Sequence, residues 1–127
     1  MTVAHGAAAR TSIADAVLAD IDSGTAGAIK LYLANGTTEV ANLPLASPAG
    51  TTSGPTLTFD CTPALEDASP TGNASAATIA KIFDSSTVEV LSCSVAQSGA
   101  DLNFPGGNTF SSSDTVQVTS LSYTAPT

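Results

Sequence analysis

Positive charge is what this sequence lacks most. Arg10, Lys30 and Lys81 stand against eleven acids in 127 residues, for a formal net charge of −8. Such a chain repels phosphate backbones and anionic lipid, and no Lys/Arg stripe is present to neutralise them. This argues against nucleic acid and anionic membranes as partners. Charged residues of both signs reach only 11%, well below the roughly 25% of an average domain. There is no Trp, and the single histidine is His5. Two cysteines, Cys61 and Cys93, lack the paired spacing of a zinc site, with one histidine to complete it. In strand-like runs of their own and without an export signal, they are expected as free thiols. No run reaches the ~18 apolar residues of a membrane helix. The opening MTVAHGAAAR has no cation ahead of an apolar stretch and does not read as an export signal.

Ser, Thr and small apolar residues are what the chain has instead. At this length one domain is expected, burying roughly two-thirds of its extended-chain surface. A Ser/Thr-rich, charge-poor surface suits an all-β protein. Val, Ile, Leu and Phe recur throughout, against disorder. Residues 1–10 read as a flexible arm and 11–127 as one domain.

The domain opens with a helix expected at about 12–22. Ile13, Val17, Leu18 and Ile21 fall on one helical face, with Ser12 and Asp15 at a capping-box spacing and Gly24 as the stop. Asp20 and Asp22 then sit at the negative end of the helix dipole, where a carboxylate is disfavoured. They begin like a calcium loop, yet Gly24 comes too early and no distal Glu follows. The stretch reads as a junction between helix and first strand.

From Ala28 the period becomes two. "AIKLYLA" and "TTEVANLPL" flank Asn35–Gly36, a strong hairpin signal. Residues 46–55 read as a loop. "TLTFDC" alternates with Leu57, Phe59 and Cys61 inward, and "ALEDASPTGNAS" reads as a second loop. "ATIAKIFD" and "VEVLSCSV" pair across a turn at Asp84–Thr87. "ADLNF" is short, and "TVQVTSLSYTA" closes the chain with a bulge or bend expected near Thr119–Ser120, because Val116 and Val118 share one face and Leu121 and Tyr123 the other. The expected fold is all-β: an antiparallel β-sandwich or jelly-roll-like small barrel of about seven to eight strands with one N-terminal helix.

Catalytic patterns fail one by one. His5 sits in the arm, where a triad base would lack orientation. "GTTSG" places Ser53 at the wrong offset for a nucleophile elbow, and no phosphate loop is present. Glu66–Asp67 are sequence neighbours rather than carboxylates opposed across a sugar-binding cleft. Asn35–Gly36–Thr37 and Asn73–Ala74–Ser75 match glycosylation sequons but read as turns. No enzyme activity, cofactor or metal is expected.

Four stretches, "IADAVLADIDSGTAGAIKLYLANG", "LTFDCTPALEDASPTGNASAATIAKIFDSS", "GADLNF" and "TVQVTSLSYTAP", resemble a family of small structural proteins encoded in the head and tail gene clusters of tailed bacteriophages and prophages. The chain departs from that pattern at Ile79–Ile82, where an aromatic is usual, and at "SSSDT" (111–115), where a glycine–glutamine turn is usual. The resemblance implies a non-enzymatic virion component assembled in the bacterial cytoplasm. Its expected role is a capsid cement or decoration protein on the outer shell, bridging major capsid subunits. A tail or neck protein, or a carbohydrate-binding adhesion sandwich, is the alternative. The final uncharged run suggests an unguarded edge strand. The expected interface residues are accordingly Thr2, Val3, His5, Val116, Val118 and Tyr123, in a homo-oligomer, a trimer before a dimer.

Overall fold

In the computed structural model, which describes residues 3–127, a helix α1 (Ala7–Ile21) precedes ten strands. Helix α1 begins earlier than expected because three alanines, the strongest helix formers, open it, and it starts from Gly6 with no side-chain cap. Ser12 and Asp15 form no capping box: the Ser12 hydroxyl donates to the Ala8 carbonyl and Asp15 accepts from the Thr52 hydroxyl. Residues 7–10 of the expected arm are thus helical, and the Arg10 guanidinium donates twice to the Ala125 carbonyl (3.1 and 3.0 Å). Ala14 and Ile21 are fully buried, while Val17 and Leu18 are partly buried against the core. Thr2 lies outside the described residues.

The strands form three sheets. The largest takes β1 (Ala28–Tyr32), β2 (Glu39–Pro44), β6 (Ile79–Phe83), β7 (Glu89–Ala96) and β8 (Leu102–Asn103) in the order β2-β1-β6-β7-β8. The second takes β3 (Gly50–Ser53), β4 (Thr56–Phe59) and β10 (Ser122–Thr124) in the order β10-β4-β3. β5 (Leu65–Asp67) and β9 (Val116–Val118) make the third. The fold is mostly β with one helix, in broad agreement with a small sandwich or barrel, but it has ten strands and is mixed, since β7 and β8 run parallel. Two of the added strands, β3 and β5, lie inside the expected loops. β3 pairs with β4 across Gly54–Pro55, where Gly54 has φ +55, the glycine-first pattern of a two-residue hairpin.

The two central hairpins follow the alternation. Ile29, Leu31, Leu43 and Ile82 point inward and are at most 2% exposed. Lys30 and Lys81 pair directly on the outer face. Two like charges there would repel. Each ammonium instead lies against a glutamate (Glu39 and Glu89, both 3.5 Å) and over a ring, Phe83 at 5.3 Å and Tyr32 at 5.1 Å. Asn35–Gly36 is not a two-residue turn: the Gly36 amide bonds Leu33 O (2.9 Å) and Leu33 N–H bonds Thr38 O (3.1 Å), closing a four-residue loop. The turn at Asp84–Thr87 forms as expected, with Thr87 at φ +61 and the Asp84 carboxylate accepting from the amides of Ser86 and Val88.

The last run breaks where expected. β9 ends at Val118 in the β5 pair and β10 starts at Ser122 beside β4, so residues 119–121 carry the chain from one sheet to another. Val116 and Val118 are 0% and 2% exposed. Their expected place at an interface is corrected: in Val–Gln–Val the two valines face the core and Gln117 faces out to Glu66 (2.9 Å).

Candidate functional site

The carboxylates are spread over the surface, and most are bound into the fold. Asp22 accepts from the Ala49 amide (2.9 Å), which fixes the helix–strand junction. Asp60, Asp67, Asp84 and Asp114 accept from amides two to four residues away, closing turns. Among the described residues no group of three His, Cys, Asp or Glu side chains is gathered as a metal would require. Glu66 and Asp67 adjoin on β5 but bond in different directions, to Gln117 and to the Asn42 amide. The tyrosines are separated as well: Tyr32 lies under Lys81 on the outer sheet face, and Tyr123 lies in β10.

What the fold does build is a groove between two sheet edges. Its register can be followed bond by bond. Val95 N–H donates to Thr78 O (2.9 Å), so alternation turns Leu91 and Cys93 toward β6 as well. The backbone groups of Ser92 and Ser94 therefore point the other way. Ser94 meets Asp101, whose carboxylate accepts both its amide and its hydroxyl (3.1 Å each). Ser92 lies before the stretch that β8 covers, since β8 pairs only with Val95 and Ala96. On β10, Phe59 N–H donates to Leu121 O (3.0 Å) and Ala125 N–H to Pro55 O (2.8 Å). Leu121, Tyr123 and Ala125 thus face β4, and the backbone of Ser122 and Thr124 faces away from it.

Between these edges is a cavity of about 410 Å³ lined by Phe59, Ile82, Leu91, Ser92, Cys93, Asp101 and residues Leu121–Thr124. It shares Asp101, Leu121 and Ser122 with a polar cleft of about 740 Å³ that continues past Phe104, Phe110, Asp114 and Gln117. Leu91, Cys93 and Tyr123 are only partly buried. Both cysteines are free, as the sequence led us to expect. Burial pushes the Cys93 thiol up to about 11, with the Asp101 carboxylate adding to the effect. Cys61 is raised too, by burial and then by Asp60.

The expected interface residues divide accordingly. Val3 is 87% exposed and His5 is exposed, both in the segment before α1. Tyr123 lines the groove, partly buried against the core. Sequence reasoning missed Leu91, Ser92, Cys93 and Asp101 as its other wall. The available signal was the run Val-Leu-Ser-Cys-Ser, whose alternation puts small hydroxyl residues on one side of an uncharged stretch of β7. No helix among the described residues is long and apolar enough to cross a membrane. No family model matches the chain, and neither a curated protein nor a solved structure matches it.

Proposed function

We propose that this chain is a non-enzymatic structural protein of a tailed-bacteriophage virion, a cement or decoration protein that binds the outer capsid surface and bridges major capsid subunits. The observation that carries this reading is the use of its carboxylates. Asp15, Asp22, Asp60, Asp67, Asp84, Asp101 and Asp114 all accept hydrogen bonds from their own chain's amides or hydroxyls, and Glu39 and Glu89 hold the two lysines. Most of the carboxylates that would carry acid–base or metal chemistry serve the architecture instead. That is the economy of a protein whose work is to be rigid and to dock. The resemblance of the four stretches supplies the virion context, and the acidity suits the outer face, away from packaged DNA. We take the curled arrangement of three sheets as a sandwich with jelly-roll-like affinities.

Cryo-electron microscopy of the parent particle tests the reading. Ordered density for this chain at local threefold or twofold positions of the outer shell is the expected result. Density in the neck or tail would transfer the role there, and absence from the particle would overturn it.

A further inference from the structure

We propose that the groove between β7 and β10 is a strand-addition site for a second copy of this chain, and that its occupant is the partner copy's N-terminal segment up to Gly6. The inference goes beyond the virion reading and needs no capsid.

Three observations carry it. First, the groove offers what an added strand needs. The outward backbone groups of Ser92 on one side and of Ser122 and Thr124 on the other supply main-chain donors and acceptors, and the side chains of Leu91, Cys93 and Tyr123 form an incompletely covered apolar floor. Second, residues Val3–Gly6 before α1 belong to no helix or sheet of their own chain. Gly6 is extended (φ −70, ψ 166), Val3 is the most exposed large apolar side chain among the described residues at 87%, and Val3 and His5 share a face when extended. Residues Val3–Gly6 match β10 in length, about 10–13 Å at strand rise.

The third observation is charge. All eleven carboxylates lie at Asp15 or beyond, and the first fourteen residues carry only His5 and Arg10. The groove wall carries Asp101 and the adjoining cleft Asp114, with no Lys or Arg on either lining. A strand bearing a carboxylate would be repelled there, and the N-terminal segment brings none while bringing an apolar side chain, Val3, that is exposed in its own chain. Arg10 holds the start of α1 to Ala125, so the segment leaves its own domain beside the end of β10. Each copy then donates one strand and receives one. Such a head-to-tail contact closes into a ring or runs on as a filament, according to the rotation between copies.

The test uses purified full-length protein without capsids, so its failure and that of the virion reading are separable. A Cys61→Ser, Val3→Cys protein, oxidised under mild conditions, is expected to give covalent oligomers whose disulfide maps by mass spectrometry to positions 3 and 93 of different copies. Light scattering is expected to show wild-type protein above monomer mass, and protein lacking residues 2–5 as a monomer with an unchanged melting temperature. Ala4→Glu should weaken self-association at least tenfold relative to Ala4→Lys, because the groove wall is acidic. A wild type that stays monomeric at ~100 μM, an oligomer that survives the deletion, or a disulfide between positions 3 and 93 within one chain would each overturn the proposal.

Discussion

β2 and β10 are both edge strands, and the chain treats them in opposite ways. On β2, Leu45 N–H donates to Gly27 O (3.0 Å), so the alternation points Asn42 and Pro44 outward. Pro44 has no N–H to offer, the Asn42 amide is taken by Asp67 (2.9 Å), and Val40 O accepts from Gly72 (2.9 Å). β5 packs alongside and closes the edge. On β10 the outward residues are Ser122 and Thr124, with neither proline nor charge, and the neighbouring lining is an apolar floor. Isolated domains guard edges in the first manner. An edge left in the second manner, beside a groove, is one kept for pairing. The sequence spends Pro44, Asp67 and Gly72 on sealing one edge and nothing comparable on the other.

The largest effect that would break this contrast comes from the cores beneath the two edges. Leu43, under the sealed edge, is fully buried, and Leu43→Ala is expected to cost about 2–5 kcal/mol by chemical denaturation. Leu91, under the open edge, is partly buried, and Leu91→Ala is expected to cost about 1 kcal/mol or less of the transfer and cavity penalty in dilute protein. If the groove fills on self-association, the second value rises with protein concentration and the first does not. Equal costs in dilute protein would mean that the groove is already closed.

The seal itself can be opened next. Gly72 has φ +72, and a Cβ there would lie 2.6 Å from Ser112 N and 2.7 Å from Ser111 C, both backbone atoms that cannot swing aside. Gly72→Ala is therefore expected to destabilise the protein by roughly 1–3 kcal/mol, from strain and from displacement of the bond to Val40 O. Faster hydrogen exchange at the Gly72 amide and its neighbours, with the β6–β7 amides unchanged, would locate the damage at the sealed edge. A thermal midpoint within error of wild type would show that the loop bends away at no cost and is not a seal.

What was legible in the sequence was whatever is local. The alternation of Ile29–Tyr32 and Ile79–Phe83, the turn at Asp84 and the apolar stripe ending at Ile21 are set by residues a few positions apart. The early helix start was legible in principle, since Ala7–Ala9 is as good a helix opening as the alphabet offers, but a run of small residues at a terminus reads equally as an arm. β3 and β5 were hidden by composition. Gly50–Ser53 has no large side chain, and Leu65–Asp67 becomes a strand only because Val116–Val118 lies opposite. The acids misled for a related reason: Asp60, Asp67 and Asp84 each stand two residues before a Ser or Thr whose amide they bind, a turn pattern more informative than their charge. The groove was legible only as the hydroxyl-lined side of the run Val90–Ser94. It exists because no strand of this chain lies between Leu91–Cys93, ahead of the stretch that β8 covers, and β10, and neither segment's own pattern says that the other, about thirty positions away, stands opposite it.

The smallest expected effect compares the thiol in the groove with the one outside it. Cys93 keeps its proton to about pH 11 because burial disfavours the thiolate, with Asp101 adding to this, whereas an unfolded cysteine loses it near 9.0. Between those values the unfolded state binds fewer protons than the folded one, so this group lowers stability as pH rises through that window and has no effect below it. Cys93→Ser removes the titration and should flatten the decline in denaturation midpoint between pH 9 and pH 11 relative to wild type, whatever offset the substitution itself introduces. Below pH 8 a thiol reagent should find both cysteines slow in native protein, since each thiolate is scarce, with Cys93 the slower, and should count two on unfolding without reductant. If Cys93 reacts faster than Cys61, or if its rate fails to fall as protein concentration rises, the groove is open to solvent and nothing from a second copy covers it.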